Sequence, residues 1–365
     1  MATPQPLLVF AEDEWSPLRS VIVGRAEDSA FPSEPLHMMA ATMPSKYVRE
    51  FRPSNPFPPA ILARAQEELD NLASILQNEG IRVYRPEKVN WLKAQGYTGS
   101  MPRDGLMSVG SALIEAPFAW RCRRHEITLG YSGILSQLSM GDSGATICRA
   151  PLITGQDTLY SGTLDSGTDS GTGVGASRWS INNSRPAFDA ADFMRFGKVI
   201  IGQLSHVTNR RGVDYLRAVV PAGYSVEILK TTDEHAMHID ATLLPLRRGL
   251  MVYHPERISE HELRRHEVFH DWELLACPMV PKARQPTQPP LYMCTPWLML
   301  NALSLDEERV LIEANETEFA SWLTTLGFKP ILVPFTHVNS IGGSFHCATV
   351  DLVRSRVDEA PAVEA

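Results

Sequence analysis

One hydrophobic pattern recurs five times along the chain. A short aliphatic or β-branched run ends in a small or polar residue and gives way to a polar stretch. The five runs are Ser20-Val21-Ile22-Val23-Gly24, Ser111-Ala112-Leu113-Ile114-Glu115, Lys198-Val199-Ile200-Ile201-Gly202, Gly249-Leu250-Met251-Val252-Tyr253 and Arg309-Val310-Leu311-Ile312-Glu313. Each predicts a strand. Between them lie segments that read helix, glycine, strand: Glu67–Gln77 through Gly80 into Ile81–Tyr84, Asp214–Val220 through Gly223 into Ser225–Leu229, and Glu318–Leu326 through Gly327 into Pro330–Val333. Their first parts have helical apolar spacing, the glycines stand where helix C-caps belong, and the runs that follow are rich in β-formers. Five similar units predict a closed α/β array with internal pseudosymmetry, one domain over residues 1–365 rather than two unrelated ones.

Three stretches fall outside this pattern. Ser161 to Ser177 repeats Ser-Gly-Thr and predicts a flexible surface loop. Its Gly171-Thr172-Gly173-Val174-Gly175 piece has no strand before it, as a nucleotide fingerprint would require. The proline-rich run from Lys282 to Pro290 reads as an extended connection. Residues 1–12 and 357–365 are expected to be loose.

Composition narrows the class. With 365 residues, 44% of them hydrophobic, the chain can bury a substantial core. A formal net charge of -8 speaks against nucleic-acid binding, which wants a basic surface. No apolar run approaches the ~18–20 residues that span a bilayer, and no basic segment precedes an apolar one at the start, so neither membrane insertion nor export is expected. Five scattered cysteines, Cys122, Cys148, Cys277, Cys294 and Cys347, lack CxxC spacing and fit reduced thiols in a cytoplasmic enzyme.

Candidate chemistry concentrates late in the chain. In Ser340-Ile341-Gly342-Gly343-Ser344-Phe345-His346-Cys347 two glycines allow a tight turn or close approach before a single thiol. Such a cysteine is either a nucleophile or a buried strand residue. Neighbouring strand residues point to opposite faces, so its base should come from elsewhere than His346. In Glu234-His235-Ala236-Met237-His238-Ile239-Asp240, an extended chain would put His238 and Asp240 on one face. That suits a histidine base beside a carboxylate; a metal site of His235, His238 and Asp240 is the rival reading. His261 and His266 are one residue too far apart for a metalloprotease helix. Phe188-Asp189-Ala190-Ala191-Asp192-Phe193 reads as two carboxylates at the start of a helix-like run, and Pro102-Arg103-Asp104-Gly105 as a turn before a strand. Grouped around a thiol and a histidine, Asp104, Asp189 and Asp240 would suit a planar cation such as a guanidinium.

Taken in order, Pro102-Arg103-Asp104, Phe188–Phe193, Met237-His238-Ile239-Asp240-Ala241-Thr242 and Gly342–Thr349 make the chain resemble the amidinotransferases, the family of the glycine, inosamine-phosphate and arginine:lysine enzymes and of relatives in bacterial toxin and antibiotic pathways. The resemblance runs from Glu14-Trp15-Ser16-Pro17 to Asp351-Leu352-Val353-Arg354. It implies a pentein-like five-bladed α/β propeller of ββαβ units, and a ping-pong transfer of the amidino group from arginine through an amidino-cysteine to an acceptor amine. By matching positions it implies Cys347 as nucleophile, His238 as general acid/base, and Asp189 as its supporting carboxylate. Asp104 and Asp240 fall on guanidinium-binding acids and Arg257 on the arginine that holds a substrate carboxylate, with Met237, Cys294 and Thr295 around the substrate. Where relatives often carry paired serines, this chain has Cys294-Thr295, and Cys294 is a poor donor. No metal or cofactor is implied. The expected partners are arginine, an acceptor amine and a second copy of the chain in a homodimer. An amino acid, lysine ahead of glycine, is the expected acceptor, with an amino-sugar or polyketide amine as alternatives and an arginine deiminase-type hydrolase as the rival activity.

Overall fold

A computed structural model describes residues 9–42, 55–139, 145–153, 157–160, 178–279, 289–294 and 298–355. The loop expected at 161–177, Thr295, most of the proline-rich run and the two ends of the chain lie outside these residues. Residues 9–12, expected to be loose, are partly tied down. Phe10 N–H donates to Leu352 O at 2.8 Å, and Ala11 and Gly110 exchange a pair of backbone bonds at 3.1 and 2.8 Å.

The five apolar runs are the middle strands of five three-stranded sheets. In chain order the strands are β1 (Leu18–Val23), β2 (Arg82–Tyr84), β3 (Leu106–Val109), β4 (Ala112–Glu115), β5 (Thr146–Cys148), β6 (Phe193–Phe196), β7 (Val199–Gln203), β8 (Ser225–Leu229), β9 (Leu243–Arg247), β10 (Leu250–Tyr253), β11 (Glu273–Ala276), β12 (Leu303–Ser304), β13 (Arg309–Glu313), β14 (Lys329–Val333) and β15 (Thr349–Arg354). The sheets are β15-β1-β2, β3-β4-β5, β6-β7-β8, β9-β10-β11 and β12-β13-β14. In every one the middle strand pairs antiparallel on one side and parallel on the other. A parallel partner requires a crossover, and helices Pro59–Asn78, Arg210–Val219 and Thr317–Thr325 supply it in three blades. Gly80, Gly223 and Gly327 turn the chain into the parallel strand with φ of +78°, +89° and +87°, a region that favours glycine. This is the pseudosymmetric five-bladed ββαβ propeller. Because β15 pairs with β1, the two ends of the chain close the ring within one blade.

The middle strands read as continuous hydrophobic runs because both of their faces are buried. Val310 and Ile312 of β13 enter the core shared with Leu244 and Val252 of the preceding blade, whereas Leu311 enters the core shared with Val21 and Leu72 of the next. Leu250 and Met251 of β10 divide in the same way. So do Ile200 and Ile201 of β7, Leu113 and Ile114 of β4, and Val21 and Ile22 of β1. Five cores thus occupy the five gaps between blades. Among the described residues, no helix is long and apolar enough to cross a membrane.

The axis is polar. The antiparallel strands meet there, with Ser108 of β3 donating to Asp351 O of β15 at 2.6 Å and Ser304 of β12 to Pro245 O of β9 at 3.1 Å. Asp351 binds three buried arginines, Arg103 at 2.7 Å, Arg195 at 2.6 Å and Arg354 at 2.7 Å. Burial alone would raise its carboxyl, but the three guanidinium groups hold it well below the usual carboxylate range. Replacing it by asparagine would leave three buried cations short of an anion, at a cost of about 3–5 kcal/mol. Urea denaturation of Asp351→Asn should show that loss. A depressed folded value gives stability that is present above the unfolded value of about 3.9 and lost as pH falls through the folded one. The variant should therefore also lose part of the wild type's acid-induced destabilisation.

Candidate active site

The turns that enter the axial strands carry the chemistry. Asp104 lies in the helical turn Pro102–Gly105, two residues before β3; Asp189 precedes and Asp192 ends the 3-10 turn before β6, and His238 precedes and Asp240 lies within the one before β9. Asn301 stands two residues before β12, and Cys347 two before β15. The ring brings these side chains together at one end of the axis. Gly342 and Gly343 serve close approach: a Cβ on Gly343 would lie 2.8 Å from the Cys347 Sγ.

Two local expectations are corrected. The segment from Asp189 does not begin a helix; it makes a single 3-10 turn and passes straight into β6, and Asp189 makes no capping bond. Nor is His238 extended. It has φ +67°, an unfavourable region for a β-carbon residue, and Ile239–Ala241 form a 3-10 turn. His238 and Asp240 face the same cavity because of that bend. Asp192 holds it, accepting the His238 N–H at 2.9 Å while also accepting from Gln203 Nε2, Ser205 Oγ and Thr208 Oγ1 at 2.8, 2.6 and 2.5 Å. Burial pushes the Asp192 carboxyl up to about 6.

The Cys347 thiol is 2% exposed. Its Sγ donates to Asp240 Oδ2 at 3.2 Å, accepts from Asn301 Nδ2 at 3.1 Å and lies 3.9 Å from His238 Nδ1. Asn301 Oδ1 accepts the backbone N–H groups of Ser344 (3.1 Å) and Cys347 (3.2 Å), so one side chain fixes both the sulfur and its turn. Across the site, His238 Nε2 meets Asp189 Oδ2 at 3.1 Å, and Nδ1 lies 3.7 Å from Asp104 Oδ1. Arg123 backs the two acids, at 2.7 Å from Asp104 and 3.4 Å from Asp189, with its other edge forked on Glu126. Asp240 is held by His346 Nδ1 at 2.8 Å, and His346 Nε2 reaches Glu14 at 3.3 Å. His346 thus turns away from the sulfur. The thiol's histidine does come from elsewhere, although residues 344–348 form a turn and not a strand.

The electrostatics follow from burial among acids. Burial and the Asp240 charge push the Cys347 thiol up to about 12. Burial alone would lower His238, but Asp104 and the bond to Asp189 outweigh it and hold the imidazole well above its ordinary value. Burial tends to raise Asp240, yet the His346 bond brings it below the usual range. Asp104 Oδ1 and Asp240 Oδ1 are buried with no hydrogen-bond partner among the described residues. Two unsatisfied carboxylate oxygens on either side of one thiol are costly unless a donor-rich cation meets them.

The cavity beside the thiol is lined by His238, Asp240, Cys347 and Asn301 at its floor, with Met237, Arg257, Cys294 and His235 on its walls. Of the residues expected at the site, His238, Asp240, Cys347, Met237, Arg257 and Cys294 line the cavity, Asp104 and Asp189 meet His238 without lining it, and Thr295 is not described. The metal trio of His235, His238 and Asp240 is not a cluster here, since the exposed His235 donates Nδ1–H to Ala41 O at 3.0 Å. Among the described residues the group with metal-ligand spacing is Asp104, His238 and Cys347. Asn301, Arg123, Asp192 and His346 were not expected in these contacts. Asn301 alone left a signal, because it holds the same place before β12 that Cys347 holds before β15 and Asp104 before β3.

Comparison with known proteins decides the family. The chain is 37% identical over 357 residues to the L-arginine:L-lysine amidinotransferase of Pseudomonas savastanoi pv. phaseolicola, covering 95% of this chain and 94% of the relative. The chain belongs to the amidinotransferase family. It is also 36% identical over 366 residues to the mitochondrial glycine amidinotransferase of Danio rerio, covering 96% of this chain and 84% of that one. The solved structure of an amidinotransferase from Microseira wollei in the saxitoxin biosynthetic pathway superposes with a TM-score of 0.82 at 32% identity, covering 96% of this chain and 99% of that one. No protein-family model matches the chain. This amidinotransferase is thus an enzyme that moves an amidino group from a donor to an acceptor amine.

With its thiol raised to about 12, the resting enzyme should alkylate slowly at neutral pH. Below that value the thiolate fraction, and with it the iodoacetamide rate at Cys347, should rise about tenfold per pH unit from pH 7 to 10. Asn301→Ala, losing one donor to sulfur, should be about tenfold slower at each pH. A wild-type plateau below pH 9, or an unchanged rate in the variant, would contradict these assignments.

Proposed function

We propose that this amidinotransferase uses L-arginine as donor, carries the amidino group on Cys347, and passes it to an amine of an amino acid, lysine ahead of glycine. The observation that carries this is the pair of buried oxygens, Asp104 Oδ1 and Asp240 Oδ1, that lack a hydrogen-bond partner among the described residues beside one thiol. A guanidinium presents planar N–H groups that match carboxylate oxygens on both sides. Asp104 and Asp240 orient it, and Arg257, in the cavity wall, takes the α-carboxylate. The acceptor preference follows the likeness to the arginine:lysine enzyme.

The reaction runs through two balanced halves. Bound guanidinium lowers the negative potential at Cys347 and lets the thiol release its proton to solvent, which leaves a thiolate beside the already protonated His238. The thiolate forms a C–S bond to the central guanidinium carbon. His238 gives its proton to the departing nitrogen as that C–N bond breaks, and ornithine leaves. A cationic amidino-cysteine and a neutral His238, steadied by Asp189, remain. The neutral acceptor amine then attacks the same carbon, gives a proton to His238, and the C–S bond breaks to restore thiolate and imidazolium. Residues 1–365 act as one catalytic domain in this scheme.

Arginine alone should yield one equivalent of ornithine per active site and then stop. Lysine should make turnover continuous and yield homoarginine, and Cys347→Ala should abolish the burst. Citrulline or urea as the main product would place the protein with the hydrolases instead.

A further inference from the structure

Arg257 does not face the cavity as a lone cation. Asp233 Oδ2 stands 3.1 Å from Arg257 Nη2, and Asp233 Oδ1 accepts the backbone N–H of His235 at 2.9 Å. Arg257 and His235 both line the cavity, so this carboxylate is anchored to two of its wall residues. Arg257 also donates Nη1–H to Ala241 O at 3.3 Å. A guanidinium has five N–H groups, and these contacts leave enough of them to grip a substrate carboxylate at two points.

An arginine by itself would favour any carboxylate. The neighbouring aspartate changes the selection, because a ligand bearing only a carboxylate is attracted by Arg257 and repelled by Asp233. An α-amino acid carries carboxylate and ammonium on one carbon and sets an opposite charge against each. Such built-in repulsion is an economical source of specificity. We propose that Asp233 and Arg257 form a zwitterion clamp in which Asp233 takes the α-ammonium and Arg257 the α-carboxylate, for donor and acceptor alike. This rests on the arginine-donor reading above. Its consequence concerns the acceptor class. An acceptor held by the same clamp must present its nucleophilic amine at the far end of a side chain, as arginine presents its guanidinium. Basic α-amino acids such as lysine meet that demand. A simple amine or an amino sugar lacks the charges, and glycine's only amine is the group the clamp itself would hold.

The test pairs substrates with and without the α-ammonium. Single-turnover amine release is measured for arginine and for 5-guanidinopentanoate, and discharge of the loaded enzyme for lysine and 6-aminohexanoate, in the wild type and in Asp233→Asn. The wild type should prefer each α-amino acid by about ten- to a hundredfold, chiefly in the concentration dependence. In Asp233→Asn the preference should collapse to within about threefold. A preference that survives in the variant would mean that Asp233 only positions Arg257, and would overturn the clamp. Should the variant fail to fold, equal use of the paired substrates by the wild type overturns the clamp just as well, and a clear preference that Asp233→Glu preserves supports it. If the wild type releases no ornithine from arginine, it is the donor reading that has failed.

Discussion

A continuous chain of buried ion pairs and hydrogen bonds joins the propeller axis to the Cys347 sulfur, and the site depends on it. Asp351 gathers Arg103, Arg195 and Arg354; Arg195 forks onto Glu14; Glu14 meets His346; His346 holds Asp240; and Asp240 accepts from the Cys347 thiol. Each member is buried, so none can be removed without stranding its neighbour in a low-dielectric interior. The network also crosses blades, since Glu14 precedes β1, Arg195 lies in β6 and Asp240 precedes β9. Closing the ring and placing the carboxylate beside the thiol are thus one structural event.

The opposite wall follows a similar rule with a different cation. Arg123 is wedged under Asp104 and Asp189, its guanidinium 4.3 Å above the Phe118 ring, and keeps two acids tolerable at close range. The two walls leave one unpartnered oxygen each, pointing the site's unmet demand at a planar cation. In the resting protein burial, together with the Asp240 and Asp104 charges, keeps the thiol protonated. On the proposed mechanism such a thiol stays quiet until the substrate brings positive charge, which limits side reactions of a cysteine at a cavity floor.

What the sequence made legible, and what it did not, follows from the range of each interaction. The middle strands were readable because burial on both faces writes an unbroken apolar run, as in Val310-Leu311-Ile312. Glycines 80, 223 and 327 were readable because a positive φ has a residue preference. Among the axial strands, β12 has only two residues and is too short for a pattern. Motifs around Asp104, Asp189, His238 and Cys347 could be matched to a family, but the local geometry of His238 could not. Its bend depends on Asp192, forty-six positions earlier. Asn301 was missed for a similar reason, since it meets Cys347 only across the closing blades, and Arg123 because its contact with Asp189 spans sixty-six positions.

The most direct test of the account is intact-protein mass spectrometry of the enzyme mixed with arginine alone and quenched in acid, followed by peptide mapping. The account predicts a mass gain of one amidino group, located on Cys347 and removed when lysine is added before the quench. A label on another residue, or turnover of arginine with no covalent species at any time, would contradict it.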